Sequence, residues 1–229
     1  MNNEIETKPN FLCFLHSLKW VYTCPIQFFG TAIIGIIIYG LTSFLYLGVI
    51  EIIIIDSIIF ILMASLLIRY YFNVKYYNKI FILKLLILSI FDMGIKMAGM
   101  IPQYIIINAQ TDVRIPQIVF LILPLFVLFL RTITVLCIYS LIIENSKIGL
   151  LNGLKLFFNN ILFYFLISSF IILIGTALRY LFGLLINNSG GILPKILSFL
   201  DIVIKCIFIL MIITSEKVKK RNKSQPDCI

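Results

Sequence analysis

From Ile26 to Thr214 the sequence is a train of apolar runs, each close to the length of a membrane span and separated by short polar links. A helix needs about 20 such residues to cross the hydrocarbon core of a bilayer. Inside that core each backbone N–H and C=O must be satisfied without water, which a helix does within its own segment. Of the 229 residues, 61% are hydrophobic and 13% are charged, with a mean hydropathy of +1.09. A soluble domain carries about a quarter of its residues charged. The sequence therefore specifies an all-α, polytopic integral membrane protein, and once the spans are counted too little chain remains for a folded soluble domain.

The hydropathy pattern places six transmembrane helices at 26–47, 50–70, 80–101, 117–143, 161–186 and 195–214. A very tight turn near Gly48 to Glu51 separates the first two, because one uninterrupted helix would outrun the hydrocarbon even when tilted. Pro102 is expected to end the third span and Gln103 to Pro116 to form a polar loop. Pro124 is expected to kink the fourth. Two further segments read as interfacial amphipathic helices. One lies within residues 1–25, where Phe11, Phe14, Leu15, Leu18 and Val21 recur at helical spacing. The other is 144–160, where Ile148, Leu151, Leu154 and Phe158 oppose Lys147, Asn152, Lys155 and Asn159. Residues 215–229 form a basic tail. The start of the chain, with Glu4, Glu6 and an apolar stretch interrupted by Lys19 and Pro25, does not fit a signal peptide.

Topology follows from the 19 lysines and arginines. With the N-terminus inside, twelve of them fall on the inner side, only Arg114 and Lys195 fall outside, and five lie within spans. That bias places both termini in the cytoplasm. The net charge of +9 then marks inner loops. No basic domain or aromatic groove is present to suggest nucleic acid. The tail from Lys217 to Lys223 suits anionic lipid, or serves as a plain topology anchor.

Charges inside spans are the informative residues, since each costs about 2.5–3.5 kcal/mol at a helix centre. Span two carries Asp56, with Glu51 at its mouth. Span three carries Asp92 and Lys96 four residues apart on one face, with Lys84, Ser89 and Gly99 nearby. Arg131 lies in span four, Arg179 in span five in line with Ser168 and Gly175, and Asp201 and Lys205 in span six. With the N-terminus inside, most of these fall between the midplane and the outer surface. One intramembrane polar cluster of Asp56, Asp92, Lys96, Arg131, Arg179, Asp201 and Lys205 is therefore expected. Two readings stay open for it: salt bridges within and between helices that fix packing, or a water-accessible cavity for a polar or zwitterionic ligand such as a lipid head group. Gly94 with Ala98, and Gly149 with Gly153, have the small-xxx-small spacing that lets helices approach closely.

Several chemistries lack their parts. A single histidine, His16, cannot build a two-histidine zinc motif, and neither a GxSxG elbow nor a P-loop occurs. The five cysteines, Cys13, Cys24, Cys137, Cys206 and Cys228, have no CxxC spacing and suggest neither a disulfide framework nor a metal site. No pair of carboxylates sits at helical spacing within a span to act as acid and base. The expectation is a noncatalytic protein with no catalytic, cofactor-binding or metal residues.

The run "ILPLFVLFLRTITVLCIYSLIIENSKIGLLNGLKLFFNN" and the opening "SLKWVYTCPIQFFG" resemble a six-span bacterial family that includes the membrane domain attached to some glycerophosphoryl diester phosphodiesterases. The resemblance rests on a proline-bearing span with a basic residue (Pro124, Arg131), a following acidic residue (Glu144), an amphipathic helix and a further span. It implies a stand-alone membrane module without hydrolase activity, since the phosphodiesterase catalytic domain is missing. The expected role is a noncatalytic accessory or lipid-interacting module, with a membrane partner. The alternative is a transport component, either a small permease or a subunit of an export or bacteriocin self-immunity system with an ATP-binding-cassette partner.

Overall fold

Prolines punctuate this chain in a way that sets its helix starts. The first four N–H groups of any helix have no partner inside it, so a proline there forfeits nothing and its fixed φ suits the helix. A computed structural model of the protein describes residues 9–43, 48–74, 79–108, 114–143, 149–185 and 192–224. In it α1 (Pro9–Thr23) and α2 (Pro25–Ser43) begin on prolines. Helices α5 (Arg114–Ile143) and α8 (Ile192–Ser224) carry Pro116 and Pro194 in their first turns. The remaining helices are α3 (Val49–Phe72), α4 (Lys79–Asn108), α6 (Gly149–Phe158) and α7 (Ile161–Leu185). Among the described residues every element is an α-helix.

Two expected boundaries move. Pro102 does not end α4, which runs on to Asn108; an interior proline removes one hydrogen bond and strains the turn before it, and a long helix can absorb that as a kink. Of the polar loop foreseen over 103–116, residues 109–113 lie outside the described residues. The last helix likewise continues past Thr214 to Ser224, so the start of the basic tail is helical. The end of α3 is built by Asn73 in the left-handed region (φ 54°). Its N–H donates to Tyr70 O, and the N–H of Val74 donates to Arg69 O, the Schellman closure that satisfies the last carbonyls of a helix.

α5 is the hub, touching α3, α4, α6, α7 and α8. Every residue from Arg131 to Leu141 is buried, as is every residue of α8 from Phe208 to Glu216, so these two stretches are enclosed all round. The outer helices turn apolar side chains outward: Ile82, Leu83, Leu86, Ile87 and Ile90 on α4, and Leu162, Phe165, Leu166 and Leu173 on α7, are all exposed. Such a belt is a liability in water and the normal surface of a protein in lipid. Among the described residues three helices are long and apolar enough to cross a membrane, over Ile50–Phe72, Ile122–Ile143 and Ile161–Leu181. The pair α1 and α2, bent by 94° at Cys24, makes a fourth if counted as one broken span.

α1 folds against the bundle through Ser17, whose Oγ lies 3.3 Å from Thr214 Oγ1 on α8, and through ring contacts of Phe14 with Phe170 and Trp20 with Tyr71. α6 packs along the end of α5, with Gly149 against Leu141 and Gly153 against the backbone of Cys137. One number rises by four as the other falls by four, so the two helices are antiparallel. The small-xxx-small pair thus serves a contact within the chain. Gly94 has no such neighbour; on α4 it is Gly99 that meets Val127 of α5. Of the apolar positions that define 144–160 as amphipathic, Leu151 and Phe158 are exposed while Gly149, Gly153 and Phe157 are buried, and 144–148 lie outside the described residues.

Candidate functional site

Seven charged side chains from five helices form one connected chain of ion pairs. Arg131, on the enclosed hub helix, grips Asp92 of α4 with both arms of its fork: Nε donates to Oδ1 at 3.1 Å and Nη2 to Oδ2 at 2.5 Å. The same Nη2 donates to Asp56 Oδ2 of α3 at 2.9 Å. Asp56 Oδ2 also pairs with Lys96 of α4, and its Oδ1 accepts from Lys205 of α8 at 2.7 Å. Lys205 reaches on to Asp201 Oδ2 at 2.8 Å, and Asp201 Oδ1 accepts from Arg179 of α7 at 2.6 Å. Sign alternates along the chain: Asp92, Arg131, Asp56, then Lys96 and Lys205 together, Asp201 and Arg179.

Exposure rises along it. Asp92 is fully buried and the Arg131 side chain is 3% exposed, whereas Asp201 and Arg179 reach 35% and 55%. At the closed end the bidentate fork is the arrangement that best offsets the desolvation of a buried pair. Thr134, one turn after Arg131, donates to Asp92 Oδ1 at 3.3 Å, and the guanidinium lies 4.3 Å from the centre of the Phe60 ring.

The open end borders a cavity of about 780 Å³, within the usual range for small-ligand sites. Asp56, Lys96, Arg131, Arg179, Asp201 and Lys205 all line it. The rest of its wall is largely aliphatic, including Ile59, Val127, Ile171, Ile172, Ile202 and Ile204, with Pro124 of α5 and Gly175 of α7. Of the seven residues expected to cluster, Asp92 alone does not border the cavity; it sits behind Arg131 and fixes it.

The pairing departs from spacing alone. Asp92 and Lys96 share a face of α4 yet bond to different helices, and Asp201 with Lys205 is the one pair that closes within a helix. Ser168, in line with Arg179 in the sequence, spends its hydroxyl on Tyr164 O of its own helix. Lys84 and Glu51 do not line the cavity. Thr134, Phe60 and the aliphatic wall escape charge counting; Thr134 had a signal in its i+3 position after Arg131, the wall had none. At the far end of the bundle Tyr164 donates to buried Glu216, and Lys217 sits 4.6 Å above the Tyr71 ring. Sequence alone places both in the basic tail over 215–229.

Every carboxylate oxygen of the cluster meets a cation. Among the described residues no group of three His, Cys, Asp or Glu is placed to hold one. Comparison with protein-family models, with curated proteins and with solved structures finds no match to this chain.

Proposed function

We propose that this chain is a noncatalytic, lipid-interacting module of a bacterial cytoplasmic membrane, and that its cavity holds an amphiphile with the head at the ion-pair chain and the tail on the aliphatic wall. The observation that carries this reading is the cavity's mixed lining: charged groups from five helices together with isoleucines.

In this reading the membrane contains six spans, α2, α3, α4, α5, α7 and α8, with both termini cytoplasmic. Two of them carry several charges within their apolar stretches, Lys84, Asp92 and Lys96 in α4 and Asp201 and Lys205 in α8. Such helices are poor spans alone and good ones when their charges are paired against protein. The 94° turn at Cys24 supports an α1 that lies in the interface across the inner end of the bundle. The basic tail adds attraction to anionic lipid on the same side.

Photoreactive phospholipid, with the diazirine on the acyl chain, tests the reading on the full chain in nanodiscs. Adducts concentrated on Ile171, Ile172 and Ile204 are expected. Adducts spread over the outward residues of α4 and α7 with none on the cavity wall overturn it.

A further inference from the structure

The cluster is not neutral. Among the described residues it holds three carboxylates and four cations, and of those lining the cavity two are acidic and four basic. The imbalance also shows in its hydrogen bonds. All six carboxylate oxygens are taken: Asp56 by Lys96, Arg131 and Lys205, Asp92 by Arg131 and Thr134, Asp201 by Lys205 and Arg179. The donors are in surplus. A lysine ammonium has three N–H groups and a guanidinium five, yet Lys96 and Arg179 make one ion-pair contact each and Lys205 two. Lys96 and Arg179 both line the cavity.

A surplus charge facing a low-dielectric space is costly until a counter-charge joins it. We propose that the cavity selects a ligand with one net negative charge on acidic oxygens, of the phosphodiester class, bound by the spare donors of Lys96, Lys205 and Arg179. This rests on the amphiphile reading above and narrows it. A zwitterionic head such as phosphocholine offers the same phosphodiester, but its ammonium adds positive charge beside a lining that already holds four cations against two carboxylates. A free cation meets the same excess of positive charge. The head-group chemistry has two possible sources, a lipid and a free phosphate ester.

Native mass spectrometry of the full chain, released from nanodiscs of equal phosphatidylglycerol and phosphatidylcholine, tests it, with inorganic phosphate added to lipid-free detergent samples as a separate arm. One lipid retained per chain, with phosphatidylglycerol favoured about tenfold, is the expected result, one charge-assisted hydrogen bond being worth about that factor. Arg179→Gln and Lys96→Gln each make the count three against three and should abolish the preference. Asp201→Asn raises the surplus and should strengthen it, a direction that a merely structural role for Asp201 does not produce. Circular dichroism and monodisperse elution check that each variant is folded; Arg179 and Asp201 are the most exposed members of the cluster, so these two keep the test informative if Lys96→Gln does not fold. Equal retention of both lipids, lost in the variants, overturns the anionic preference and leaves the amphiphile reading standing. Phosphate retained with no lipid preference keeps the anion and overturns the amphiphile. Lipid retention that no variant alters overturns both.

Discussion

Arg131 sits between two carboxylates on two neighbouring helices, and no other side chain in the cluster is so committed while so buried. Removing one member of such a pair leaves the others charged and without a partner, at a cost of about 3–5 kcal/mol. Arg131→Met and Asp92→Asn should therefore lower the unfolding midpoint of the purified protein sharply in a thermal or denaturant titration. Arg179→Gln, more than half exposed, should change stability by less than about 1 kcal/mol. Equal losses at the two ends would mean that the chain of ion pairs has no buried anchor. The membership of this cluster is legible in the sequence because a charge in an apolar run is rare and costly, which singles out each of the seven residues separately. The pairing is not legible. Asp92 and Lys96 have ideal spacing for each other, and which of them turns to another helix depends on the rotation of α4 against α3 and α5.

Among the elements, α6 is the one whose role changes most between pattern and structure. Hydropathy gives it an apolar face of leucines and a phenylalanine, but its contact with α5 is made by Gly149 and Gly153, which carry no hydropathy signal of that kind. A side chain at 153 would collide with the Cys137 backbone, which cannot yield as a flexible side chain does. Gly153→Leu should displace α6 and cost about 1–3 kcal/mol through overpacking. Cys137, fully buried in the native protein, should then react with a maleimide that leaves the parent protein unlabelled at that position. An unreactive Cys137 in a Gly153→Leu protein of unchanged stability would refute the contact. Helix ends carry a proline signal, with Pro9, Pro25, Pro116 and Pro194 each in a first turn, yet Pro116 reads in the sequence as the close of a loop. They were misread at Pro102, because a proline within an apolar stretch looks the same in sequence whether it ends a helix or bends one.

For the whole molecule, the outward apolar belt and the enclosed charges describe a protein arranged for a bilayer, polar groups turned in and aliphatic ones out. The proposed orientation rests on the lysine and arginine bias. A reporter fused after the C-terminus should be cytoplasmic and one inserted between Asn108 and Arg114 external, and the reverse result would invert the account. The central claim is that charges too costly to leave in lipid are gathered into a single anion-selective cavity. An electron cryomicroscopy map of the full chain in nanodiscs of phosphatidylglycerol and phosphatidylcholine tests it most directly. The account predicts density for one lipid in the cavity, its phosphate within hydrogen-bond distance of Lys96 and Arg179 and its acyl chain along Ile171 and Ile204. A cavity holding no lipid, with Lys96 and Arg179 paired to carboxylates alone, would contradict it.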